Sequence, residues 1–205
     1  MPEEQVSVYD ARGRVLGGRS RQEALSSGLP VGAVNALVVN AAGQVLLQRR
    51  RPDKENGGLW DKTVGGHVGA GEGFDACVVR EAGEELFGDG RSPCVRLLGS
   101  RAAVRRTRPG PAEVVLYRAG LQLNLRDVRF RPGGGRRTVL YHVALYLGRT
   151  RAPRRAFRPD PGELSGLRFF APSAVDRLLL EGALAPNMGF LWLTQARALL
   201  DLAGP

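Results

Sequence analysis

Cysteine, lysine and aromatic residues are all scarce in this chain, and each scarcity closes off a class of function. Cys77 and Cys94 are the only two cysteines in 205 residues. They are too few and too irregularly placed for a disulfide framework or a zinc site, which favours a reducing compartment, so a cytoplasmic protein is expected. No stretch of about 18 apolar residues could cross a bilayer, and the segment from Met1 to Gln5 lacks the basic start and apolar run of a signal peptide. Aromatic residues make up 6% of the chain and do not alternate with its basic clusters, as stacking platforms for single-stranded nucleic acid require. No repeat at solenoid periods is present.

What is present is an ordinary globular composition, 43% hydrophobic and 24% charged, in a chain long enough for one well-buried core. The expected organisation is one domain over 1–205: an N-terminal hairpin extension at 1–30, a catalytic core at 31–171 and C-terminal helices at 172–205. The formal net charge of +10 calls for anionic partners, among which nucleic acid, membrane surface and phosphorylated small molecules are the classes. All but Lys54 and Lys62 of the 30 basic residues are arginines. An arginine bias of that kind reflects composition as much as binding, and it says nothing of oligomeric state.

Along the chain, Val6 to Tyr9 and Val15-Leu16 flank the turn Asp10 to Gly13 as a first hairpin. Ala33 to Asn40 and Gln44 to Gln48 form a second, central to the sheet. A short extended piece is predicted at 61–64, then a Gly-rich loop from Gly65 to Gly73 and a helix at 74–86. Further strands are predicted around 95–104, 114–121 and 138–148, which makes the core mixed αβ. Ser173 with Asp176 reads as a capping box opening a helix to about Glu181. After Pro186, Trp192, Leu193, Ala196, Leu199, Leu200 and Ala203 form a packing stripe. The connectors at 105–110, 130–137 and 149–159 read as mobile surface loops.

The helix at 74–86 carries the chemistry. At about 100° per residue, Glu84 lies about 60° to one side of Glu81 and Glu85 about 40° to the other, so the three carboxylates share a face. Ala76, Val79, Ala82, Gly83 and Leu86 form the opposing stripe that packs on the sheet. Two carboxylates about 4 Å apart repel by roughly 4 kcal/mol at an effective dielectric of 20, so three together call for a cation among them. Hard oxygen donors point to Mg2+ or Mn2+ rather than zinc. Such an ion, completed by water and substrate phosphates, suits hydrolysis of a phosphoanhydride. The alternative is a plain solvated helix face.

The wider spacing favours the metal. Gly66 is followed after five residues by Glu72, and after seven more by Arg80-Glu81-Ala82-Gly83-Glu84-Glu85, a pattern that resembles the Nudix box. The resemblance implies an α/β Nudix fold, an αβα sandwich around a mixed sheet. It implies that the Gly66 carbonyl, Glu81, Glu84 and Glu85 bind metal, that Glu81 or Glu84 also helps deprotonate water, and that Glu72 and Arg80 form a structural ion pair. The box glycine after the last glutamate is displaced by one residue, Phe87 preceding Gly88.

The run from Leu46 to Arg50, Lys54, Gly58 to Asp61 and Gly65 to Val68 resembles the isopentenyl-diphosphate-isomerase-like branch. The isomerase itself needs a cysteine between its tryptophan and histidine, and Asp61 to Gly66 contains none. Its expected histidine is also missing after Gly28-Leu29. Hydrolysis of a pyrophosphate bond in an organic or nucleoside diphosphate is what the resemblance leaves. Arg49, Arg51, Lys54 and His67 are the expected substrate-binding residues, though His67 also reads as an incidental loop histidine. Glu163 resembles a late acidic position of the family. Cys77 is expected as a small buried thiol. The competing readings are isomerase activity, a nucleic-acid binder using the arginines near 105–108, 129–137 and 149–158, and a Nudix scaffold that binds without turnover.

Overall fold

A computed structural model describes residues 3–88 and 94–204. In chain order its elements are β1 (Gln5–Tyr9), β2 (Val15–Ser20), α1 (Arg21–Ser26), β3 (Val31–Asn40), β4 (Val45–Arg50), β5 (Trp60–Asp61), β6 (Val64–His67), α2 (Phe74–Phe87), β7 (Val95–Leu97), α3 (Arg101–Arg106), β8 (Val114–Phe130), β9 (Arg136–Thr150), β10 (Leu164–Phe170), α4 (Pro172–Leu180) and α5 (Pro186–Leu200). No helix among the described residues is long and apolar enough to cross a membrane.

The sheet runs β10-β4-β3-β9-β8-β7, with the hairpin β1-β2 and strand β6 attached to β3 and β5 attached to β4. β3 is central because it is apolar on both faces, buried from Val31 to Val39, as a strand covered on both sides must be. It pairs in parallel with β9 along its whole length. On its other edge it pairs antiparallel with β6 through Ala33 to Ala36, and then with β4 at Val38 and Val39. Thr63 fills the fork where β6 and β4 part: its hydroxyl donates to the Leu46 carbonyl and accepts from the Val38 N–H. A side chain thus replaces a ladder rung, and the parted strands leave room for a cavity.

One face of the sheet is covered by α2, which sends Cys77, Val78, Ala82 and Leu86 into a core with Val34, Ala36, Leu46, Val64 and Leu116. The other face packs Leu37, Val39, Leu47 and Leu147 against Met188, Leu191, Trp192 and Leu199 of α5 and Val175 of α4. The result is the helix–sheet–helix sandwich. The packing side of α2 is rotated from the predicted stripe: Ala76 is exposed, while Cys77 and Val78 are buried.

Several local expectations change. The predicted strand at 95–104 ends at Leu97, and Ser100 caps α3 by accepting from the Ala103 N–H; alanine and arginine there prefer helix. The residues at 130–137 do not form a free loop but the tip of a long β8-β9 arm. At 149–159, Arg149, Thr150, Ala152 and Phe157 are buried, so this connector is partly core. Leu193 points to solvent at 72% exposure because the α5 stripe centres on Trp192. Finally, α4 begins at Pro172, with Ala171 as its N-cap, so Ser173 and Asp176 form no capping box. Asp176 instead accepts the Trp192 indole N–H at 2.7 Å. Asp176→Ala is therefore expected to cost about 1 kcal/mol and Ser173→Ala less than about 0.5 kcal/mol, a contrast that urea denaturation measures.

Candidate active site

The loop before α2 is tied to it by Glu72 and Arg80. Arg80 donates through Nε to Glu72 Oε1 and through Nη2 to Oε2, both at 3.0 Å, and Nη2 also reaches the His67 carbonyl at 3.2 Å. Glu72 accepts the Gly69 N–H at 2.9 Å. Burial works against ionisation of Glu72, but Arg80 and the Gly69 N–H outweigh it and hold the carboxyl below its usual range. A bidentate, charge-assisted pair of this kind fixes geometry as well as adding energy. Glu72→Ala strands Arg80 and the Gly69 donor. Because Arg80 is about a third exposed, the expected loss is about 2 kcal/mol, below that of a fully buried pair, and thermal unfolding checks it.

Glu81, Glu84 and Glu85 all line one cavity of about 650 Å3. Arg80 Nη1 lies between Glu81 Oε1 at 2.9 Å and Glu84 Oε2 at 3.1 Å. Glu85 accepts the Gly65 N–H at 2.9 Å. Burial, reinforced by Glu84 against the pull of Arg80, pushes the Glu81 pKa up to about 7. Burial, with Glu81 next to it, pushes Glu85 up to about 8. Glu84 is half-exposed.

Gly66 lies directly against Glu81. A Cβ at 66 would overlap the Glu81 carboxyl group, so only glycine lets the strand backbone and that carboxylate approach one another. Among the described residues no three acidic, histidine or cysteine side chains close on a common point, because Arg80 and the Gly65 N–H hold the glutamates apart. The donor set still fits a hard divalent cation. It offers two carboxylates largely withdrawn from water, a third beside them, and the strand backbone at Gly66 packed against Glu81.

The cavity's other lining residues include Arg21, Asn35, Gln48, Arg50, Asp61, Lys62, Arg129, Arg158 and Glu163. Of the expected substrate-binding residues only His67 is among them. Its imidazole is 3.3 Å from the Tyr141 hydroxyl. Burial, then Arg21 and Arg129, push its pKa down to about 3, so it is neutral near pH 7. Arg49, Arg51 and Lys54 lie outside the lining. Arg49 stacks on Trp60 and donates to the Gly58 carbonyl, Arg51 pairs with Asp53, and Lys54 pairs with Glu163. Strand alternation on β4 turns Gln48 and Arg50 toward the cavity and Arg49 away, a signal available in the sequence once the strand is placed. Arg129 had no such signal, because β8 extends well past Leu121, where the predicted strand ended. Cys77 is buried and donates to the His67 carbonyl, and burial, with Glu81 next, raises its thiol pKa well above the usual value.

Residues 29–188 match the NUDIX domain family profile. The chain belongs to the Nudix family. Among its relatives, this Nudix protein is 36% identical over 96 residues to the uncharacterized Nudix hydrolase all7351 of Nostoc sp., covering 46% of this chain and 57% of that one. It is 35% identical over 129 residues to an isopentenyl-diphosphate Delta-isomerase of Burkholderia multivorans, covering 62% and 64%. The chain thus spans less than two thirds of the length of either relative. In fold it resembles the crystal structure of DR0079 from Deinococcus radiodurans, with a TM-score of 0.63 at 21% identity, covering 96% of this chain and 99% of that one.

Proposed function

We propose that this Nudix protein is a pyrophosphohydrolase acting on a small organic or nucleoside diphosphate with Mg2+ or Mn2+. The observation that carries the reading is the convergence of Glu81, Glu84, Glu85 and Gly66 on one cavity, with Glu81 and Glu85 buried beyond what lone carboxylates tolerate. Glu81, Glu84, Glu85 and the Gly66 carbonyl would hold the ion. Bound there, it would supply charge neutralisation on the phosphates and a more acidic water.

The remaining work falls to the chain's own side chains. Arg80, held by Glu72, keeps Glu81 and Glu84 at fixed positions. Glu81 or Glu84 accepts the proton of the attacking water, a role Glu81's raised pKa suits near neutral pH. Arg50 and Arg158 line the cavity; Arg50 Nε donates to the Glu55 carbonyl and Arg158 Nη1 to the Phe157 carbonyl, and their remaining guanidinium N–H groups are offered to a diphosphate.

An isomerase reading has a relative's name in its favour, but among the described residues the cavity lining contains no cysteine and Cys77 is buried in the core. The test is a panel of nucleoside di- and triphosphates, dinucleotides, nucleotide sugars, coenzyme A and isoprenoid diphosphates with each metal, with products resolved by chromatography. Cleavage at a phosphoanhydride is expected. Isomerised isopentenyl diphosphate, or tight RNA or DNA binding with no cleavage across the panel, would sink the reading.

A further inference from the structure

Part of the cavity is built by residues that the hydrolytic site leaves unused. Asn35, Gln48, Asp61 and Lys62 line it while each is at most 4% exposed; Asn35 donates to Asn187 at 3.1 Å and Lys62 pairs with Asp61 at 3.2 Å. Gln48 Oε1 is buried without a hydrogen-bond partner among the described residues. Apart from Ala33, Val34, Pro159 and Pro161, no apolar side chain lines the cavity, and His67 is its only aromatic ring among the described residues. Buried polar groups left without partners are costly, so a lining of this composition favours a polar guest.

The long β8-β9 arm completes this wall. Its tip is fastened to the loop after β4: Asn56 N–H donates to the Phe130 carbonyl at 2.9 Å, Phe130 N–H donates to Asn56 Oδ1 at 3.0 Å, and Arg137 pairs with Glu55 at 2.6 Å. Asn56 is buried and adopts φ 57° to make these bonds, a conformation few side-chain-bearing residues accept. Fastening the arm brings Arg129 into the cavity lining. There Asp127 pairs with its Nε at 2.6 Å, and its guanidinium lies over the Tyr141 ring at 5.6 Å. Lys62, in the same lining, is held in its buried pair with Asp61.

We propose that this wall binds the part of the substrate beyond the cleaved diphosphate, and that this part carries hydroxyl groups and a second anionic group, as a phosphorylated sugar does. Arg129 takes the anion through the guanidinium N–H groups that Asp127 does not hold, and Gln48 Oε1 accepts from a hydroxyl. The proposal rests on the pyrophosphohydrolase reading. An isoprenoid chain in this space would leave Gln48 Oε1 buried without a donor, and sites built to hydrogen-bond discriminate strongly against guests that cannot. A nucleobase would find no ring to stack on except His67.

Two measurements separate this proposal from the reading beneath it. The first is calorimetric titration of the metal-free protein with ribose 5-phosphate, ribose and isopentenyl monophosphate. Ribose 5-phosphate is expected to bind at least tenfold more tightly than either of the others. Arg129→Met alone would strand Asp127, so the paired variant D127N/R129M is used, with its fold checked by circular dichroism. It is expected to weaken ribose 5-phosphate at least tenfold and to leave ribose unchanged. Equal binding of the two phosphates, or no effect of the paired variant, overturns the proposal. The second measurement compares hydrolysis of 5-phosphoribosyl 1-diphosphate and isopentenyl diphosphate. The paired variant is expected to raise KM for the former tenfold, with kcat within about threefold. Faster hydrolysis of isopentenyl diphosphate also overturns the proposal. If nothing in the wider panel is cleaved while the Arg129-dependent binding holds, the wall stands as a binding site and the hydrolase reading fails.

Discussion

Glu85→Gln is expected to make the metal-free protein more stable and, at the same time, to remove most of its pyrophosphohydrolase activity. The carboxyl of Glu85 is driven up to about 8 by burial and by Glu81, so near neutral pH the folded protein bears the cost of either charging it or keeping it protonated against its ordinary value. Glutamine has the same shape, still accepts the Gly65 N–H and carries no charge. A gain on the order of 1–3 kcal/mol in unfolding free energy is expected in EDTA, which for a chain of this length is several degrees in Tm. Adding Mg2+ or Mn2+ should stabilise the native protein through binding linkage and the variant much less. Hydrolysis should fall by roughly 10^2 to 10^4. A carboxylate serving only the fold behaves in the opposite way, with stability lost on substitution and no dependence on the ion. A drop in the metal-free Tm of Glu85→Gln, together with unchanged turnover, would remove Glu85 from the proposed site.

How much of this was readable before the fold was known follows from which interactions are local. The α2 carboxylates and the Glu72–Arg80 pair lie within one short segment, where helical spacing alone sets which groups meet; the pair closes with two parallel hydrogen bonds. The central strands were equally legible, because β3 is an apolar run from Val31 to Val39 broken only by Asn35. The basic residues were not. Arg49, Arg51 and Lys54 are near the site in sequence, yet pairing of β4 with β5 and β10 turns Arg49 onto Trp60. Arg129 and Arg158 reach the cavity from distant segments, through a hairpin docking and a connector anchored by Phe157. Long-range packing of that kind leaves no periodic trace in a single sequence. The helix end was a smaller case: Gly88 takes φ 68° as the C-cap of α2, one residue after Phe87, which is needed in the core against Phe157. The shifted glycine therefore follows from packing and leaves the glutamates in place.

Gly66→Ala is the second substitution with a large expected effect, and the reason is steric. Gly66 sits in β6, opposite Val34 of β3, so its backbone is held by the sheet. Glu81 stands on α2, whose Val78, Ala82 and Leu86 are fixed in the core, so the helix cannot back away. The added methyl would occupy the position of the Glu81 carboxyl. The side chain is the only part free to yield, and in yielding it breaks its bond with Arg80 and leaves its place against the Gly66 backbone. Overpacking of this kind costs about 1–3 kcal/mol, which a folded domain of this size survives. Activity should fall at least as far as about 10^2-fold, since the proposed ligand carboxylate is displaced from the strand backbone it packs against. Gly99→Ala serves as the control: nothing lies within 4 Å of its added Cβ, and both Tm and turnover should remain near native. If Gly66→Ala folds and hydrolyses its substrate at the native rate, close approach of Glu81 to the strand backbone is not what the chemistry uses.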